Sequence, residues 1–116
     1  MDLERLQGAW RAFRIEKGGS TVPDELAATV RYIFDDDRVI LMEGDQKAGE
    51  GVIRLDPTAE PKAFDFTATE GPQEGTTALG IYRVEGDALT MCMGVERPSE
   101  FTGAGEAALV ELTRIG

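Results

Sequence analysis

Glycine limits the length of every element this chain can form. The 116 residues include 14 glycines, scattered rather than clustered. Together with proline and runs of aspartate, they interrupt the chain before most segments could wind into a helix of ordinary length. The stretches between interruptions are rich in Val, Ile, Phe, Tyr and Thr, the residues that suit a pleated, half-buried surface. A chain divided in this way is expected to fold as many short strands.

Residues 2–6 predict one helical turn, with Leu3 and Leu6 on one side and Gly8 ending it. Strands are predicted over 9–16, 30–34, 38–43, 50–55, 63–69, 76–85, 88–95 and 107–114. The fifth alternates most cleanly, with Phe64, Phe66 and Ala68 on one face and Asp65, Thr67 and Thr69 on the other. Lys17-Gly18-Gly19-Ser20 breaks the first strand. Residues 23–28 then predict a short helix between the first two strands, capped by Thr21 or Ser20, with Asp24 and Glu25 in its first turn. Asp35-Asp36-Asp37, residues 44–47, Asp56-Pro57 and Gly86-Asp87 supply tight turns, and 70–75 and 96–106 form longer loops. Gly80, mid-strand, is expected to mark a bulge or sharp bend.

Successive short strands joined by hairpin turns fold either as a sandwich or as a closed up-and-down barrel. Closure is favoured because it leaves no exposed strand edge. The chain cannot make an internal disulfide, since Cys92 is its only cysteine. Gly8-Ala9-Trp10 follows the helical turn directly, and Arg114 ends the last strand. The expected fold is all-β: an eight-stranded antiparallel barrel with a short helix between strands one and two, spanning residues 1–116 as one domain.

Gly-x-Trp at this position resembles the signature of lipocalins and their calycin relatives, in which a terminal arginine packs across the tryptophan. The resemblance implies that Arg114 stacks on Trp10, a contact worth on the order of 0.5–2 kcal/mol that would tie the first strand to the last, where a barrel must close. The whole chain also resembles an uncharacterised bacterial lipocalin-like family, abundant in planctomycetes. The resemblance is carried by Leu6-Gln7-Gly8 with Trp10, Gly51, Leu55-Asp56-Pro57-Thr58, Pro61-Lys62 and Thr69-Glu70-Gly71-Pro72. It continues through Gly80-Ile81-Tyr82, Gly86-Asp87 with Leu89, and Arg97-Pro98 with Phe101. These are turn and packing residues, so the resemblance implies an architecture and no particular chemistry. One feature departs from lipocalins proper: no long helix follows the predicted barrel.

Charge and composition narrow the functions. A net charge of −10, from 22 acidic and 12 basic side chains, repels nucleic acid and anionic membrane surfaces and suits a basic protein partner. The chain has no histidine, which removes Ser-His and Cys-His catalysis, imidazole acid–base chemistry and ordinary zinc sites. Asp35-Asp36-Asp37 lacks the glycine and distal glutamate of a calcium loop and reads as a solvated hairpin. Glu96 and Glu100 read as loop carboxylates around Arg97. Residues 71–75 cannot cradle phosphate, because Pro72 removes a donor and Glu74 repels an anion. Cys92 lies in an apolar run and is expected to be a buried, inert thiol. No catalytic constellation, metal site or cofactor site is expected. The first residues lack the basic and apolar regions of a signal peptide, so the sequence as it stands reads as cytoplasmic.

Tyr32, Phe34, Phe64, Phe66, Tyr82, Met91 and Met93 are expected to point into the barrel and to line any pocket there, with Arg97 anchoring a loop over the mouth. Phe13, Ile15, Ile33 and Ile40 are expected on the opposite face of their strands, partly under the short helix and partly at a dimer or partner surface. Two roles fit such a molecule, as monomer or homodimer. One is a non-enzymatic barrel holding a small apolar ligand. The other is an acidic module, such as an inhibitor or toxin-neutralising protein, that meets a basic partner.

Overall fold

The computed structural model describes residues 2–116. In chain order the elements are α1 (Asp2–Leu6), β1 (Gly8–Lys17), β2 (Ser20–Thr21), α2 (Asp24–Ala27), β3 (Val30–Asp35) and β4 (Arg38–Glu43). β5 (Gln46–Asp56), β6 (Ala63–Glu70), β7 (Thr77–Glu85), β8 (Ala88–Gly94) and β9 (Ala108–Arg114) follow. β1 pairs with β3, each later strand pairs with the next, and β9 returns to β1, so eight antiparallel strands close a barrel. β2 is a two-residue flap folded back on the end of β1, with Thr21 opposite Glu16. The closing seam runs from Trp10 opposite Arg114 to Lys17 opposite Ala108.

The seam contains the one break in the alternation of β1. The register shifts between Ala12 and Arg14, so Phe13 is an extra residue on a bulge, 51% exposed. The bulge turns Ile15 back toward the interior, where it packs on the main core, rather than onto the outer face that strict alternation predicts. A second shift, between Leu41 and Met42, lets β5 begin at Gln46, earlier than the turn residues suggest. The predicted helix forms as α2, but Pro23 stands at its N-cap and no side chain caps it.

Gly80 shows no bulge. It pairs in unbroken register with Phe64 and with Met93, and a Cβ built there would overlap the Phe64 ring. Gly51 stands in the same relation to the ring of Phe66. Both inward glycines are needed for their missing side chain, because two phenylalanine rings of β6 lie flat across the neighbouring strands. The Phe64 ring also meets Tyr82 edge-on, with centroids 6.4 Å apart.

Two cores result. The larger fills the barrel and includes Trp10, Phe34, Phe64, Tyr82, Leu89 and Leu112. Full burial of each large apolar side chain contributes roughly 1.5–3 kcal/mol. The smaller lies on the outer wall, where Ile81, Cys92 and Leu109 stand side by side on β7, β8 and β9. The loop over 95–107 covers them with Phe101 and Ala107. The Cys92 thiol donates to the Thr102 carbonyl at 3.2 Å, and Arg83 stacks over the Phe101 ring at 4.8 Å.

Candidate functional site

The two ends of the barrel are built differently. At one end α1 lies across the opening, and Leu6 is almost fully buried in the core. The indole of Trp10 donates through Nε1 to the Leu6 carbonyl at 2.8 Å. Arg114 stacks over the same indole, 4.2 Å from its centroid. Its Nη1 donates to the Gln7 carbonyl at 2.5 Å and its Nε to Asp87 Oδ1 at 3.0 Å, while Nη2 reaches the Arg5 carbonyl. The guanidinium thus satisfies carbonyls at the C-terminal end of α1, where a cation also complements the helix dipole. Gly8 has φ of 107° and lies against the Gly116 carbonyl, so only glycine fits where both chain ends meet.

The same end holds a small polar network. Tyr82 Oη donates to Asp2 Oδ2 at 2.7 Å, and Lys62 Nζ donates to the same oxygen at 2.9 Å. The Lys62 ammonium, then the Tyr82 hydroxyl, hold the Asp2 carboxyl below its usual range. Burial, then the bond to Asp2, pushes the Tyr82 phenol up. Gln7 accepts from the Asp36 amide at 2.7 Å and donates to the Asp36 carbonyl at 2.9 Å, pinning the β3–β4 hairpin to this seal.

The opposite end is open. A pocket of about 430 Å³ has Leu41, Phe66 and Met93 at its base and small residues, Gly49, Ala68, Ala78 and Ala108, in its walls. The small walls are what leave the space, since larger side chains at these inward positions would fill a barrel of this size. Beneath lies a narrower apolar cavity of about 50 Å³, bounded by Tyr32, Val39, Ile53, Phe64 and Met91 together with the same Leu41, Phe66 and Met93. Those three shared side chains form the floor between the pocket and the cavity. Burial alone pushes the Tyr32 phenol up to about 12. At the rim Lys47 Nζ lies 2.7 Å from both Glu50 Oε1 and Glu70 Oε2, and its ammonium holds the Glu50 carboxyl below the usual range.

The expected lining residues therefore divide. Tyr32, Phe64, Phe66, Met91 and Met93 come together around the inner cavity. Phe34 and Tyr82 are buried in the core without lining it, and the Tyr82 hydroxyl is committed to Asp2. Arg97 stands outside the barrel rather than over its mouth. Its Nη1 donates to the Phe64 and Gly80 carbonyls, both at 2.8 Å, and Nη2 to Asp65 Oδ1 at 2.5 Å. It clamps the covering loop to the β6–β7 wall. The alanines and glycines of the mouth were missed from sequence. Their signal was present as small residues, Ala68, Ala78 and Ala108, at inward positions two removed from Phe66, Gly80 and Val110.

Comparison with family models, with curated proteins and with solved structures finds no match to this chain. Among the described residues no helix is long and apolar enough to cross a membrane.

Proposed function

We propose that this chain is a non-enzymatic, lipocalin-like binding barrel that receives a small apolar ligand through its open end. The observation that carries the reading is the asymmetry of the interior. One end is covered by α1, Trp10 and Arg114, with a groove between α1 and β5 lined by Leu3, Ile53 and Leu55, while the other leaves a pocket of about 430 Å³ above a floor of Leu41, Phe66 and Met93. That volume lies within the roughly 300–1,000 Å³ common for small-ligand sites. The deeper cavity, about 50 Å³, is well short of the ~150 Å³ that holds benzene. The body of the ligand therefore sits in the mouth, and only a narrow end of it passes the floor. The Gly-x-Trp and arginine closure supports placing the barrel among lipocalin-like proteins.

Titration with a neutral environment-sensitive dye such as N-phenylnaphthylamine tests the reading. The expected result is a saturable one-to-one rise in emission, weakened about tenfold or more by Ala78→Leu, which fills the mouth. A folded protein that gives no saturable signal would remove the proposal.

A further inference from the structure

We infer that Tyr32 supplies the polar contact of the binding barrel: its hydroxyl donates to the oxygen of a neutral carbonyl, the ketone or aldehyde end of an otherwise apolar ligand. The inference rests on the binding-barrel reading and names the buried end of the ligand. Tyr32 stands on β3 between Trp10 and Leu41, and it lines the cavity beneath the floor with Val39, Ile53, Phe64 and Met91. Two other interior side chains with a polar tip are committed, Trp10 Nε1 to the Leu6 carbonyl and Tyr82 Oη to Asp2. A buried tyrosine ordinarily finds such a partner. Among the described residues the Tyr32 hydroxyl has none, and burial is the sole cause of its raised pKa.

No polar side-chain atom of the described residues is both unpaired and shut off from open space. The Tyr32 oxygen therefore keeps free surface, and deep inside the barrel that surface faces the interior. A phenylalanine would pack the same wall without the cost of an unmet hydroxyl. Water answers that hydroxyl poorly. The cavity of about 50 Å³ has room for a water, but the side chains around Tyr32 are aliphatic, aromatic or thioether. A held water needs about two to four polar partners. A carbonyl end passing between Leu41, Phe66 and Met93 needs only the one donor that Tyr32 offers. An alcohol brings a hydroxyl hydrogen that finds no strong acceptor there, and a carboxylate brings a charge with no cation to meet it.

Displacement of bound N-phenylnaphthylamine by 2-octanone and by 2-methyl-1-octene, in the wild type and in Tyr32→Phe, tests the contact. The two probes differ only by a carbonyl oxygen in place of a methylene, so the alkene reports packing and the ketone reports packing plus the hydrogen bond. Tyr32→Phe should weaken 2-octanone by about 3- to 10-fold and leave the alkene within about twofold. The carbonyl stretch of bound 2-octanone should lie at lower frequency in the wild type than in Tyr32→Phe. Octanoate at neutral pH should displace the dye on the order of tenfold or more weakly than the ketone. A ketone affinity unchanged by Tyr32→Phe, an equal loss for ketone and alkene, or octanoate binding as tightly as the ketone overturns the carbonyl assignment and leaves the binding barrel standing. Failure of the dye itself to bind overturns both.

Discussion

The two ends of one barrel show how similar strands are finished for opposite purposes. At the sealed end, large side chains carry a polar group that finds a partner: Trp10 bonds the Leu6 carbonyl, Arg114 the Gln7 carbonyl, and Tyr82 the Asp2 carboxylate. At the open end, inward positions are given to Gly49, Ala68, Ala78 and Ala108, which pack little and occupy less. Stability is concentrated where the chain termini meet, and space is kept where they do not. A barrel of eight strands is wide enough either to be filled or to leave interior space, and this one is filled at one height and open at another.

The largest expected effect comes from the sealed end. Trp10→Ala should cost about 3–5 kcal/mol in denaturant unfolding, since the indole is fully buried and joins α1 to the seam. Phe66→Ala, at the half-buried floor of the mouth, should cost clearly less; equal losses would break the contrast between the ends. Arg114→Met follows at about 2 kcal/mol, from the lost indole stacking and charged hydrogen bonds. Gly80→Ala should cost roughly 1–3 kcal/mol by overpacking the Phe64 ring. At the open end Ala78→Leu should change stability by less than about 1 kcal/mol, because the space it fills is open to solvent. Its effect should appear in dye binding instead.

Groups at the seal and around the inner cavity make stability depend on pH. Asp2 has a folded value below its ordinary 3.8. Its contribution to the seal is present above that value and is lost as pH falls through the lower folded one. Asp2→Asn should flatten the acid limb of a stability–pH curve. Tyr32 is raised from 10.0 to about 12, so its neutral form is the one the fold accommodates. Stability should hold below pH 10.0 and decline as pH rises toward 12, and Tyr32→Phe should reduce that decline. An unchanged alkaline limb in Tyr32→Phe would mean that the phenol is freely solvated.

Much of the ring was legible because period-two patterning and turn residues are local signals. Phe64, Phe66 and Ala68 line one face, Gly86-Asp87 turns between β7 and β8, and Trp10 stands opposite Arg114. Departures arose where a tertiary contact overrode the pattern. The bulge at Phe13 reversed Ile15, and nothing in the sequence of β1 announces an extra residue. Gly80 signals a bend by its type alone, whereas its cause is a phenylalanine on the neighbouring strand. Arg97 was expected at the mouth, but its donors are matched by carbonyls on the outer wall. The outer core had a readable sign: Leu89 to Met93 is apolar at nearly every position, as in a strand buried on both faces. Read in that way, the run points to a covering element, which the loop over 95–107 supplies. The size of the mouth was less legible, because it depends on which small residues converge from four strands.

Methyl NMR of the protein labelled at methionine tests the contrast of the two ends most directly. Met93 borders the mouth and the cavity, Met91 borders the cavity alone, and Met42 belongs to β4, outside both linings. On titration with octanol the Met93 methyl should shift most and saturably, Met91 less, and Met42 not at all. An unmoved Met93, or shifts confined to groups packed around Trp10, would contradict an open mouth above a sealed base.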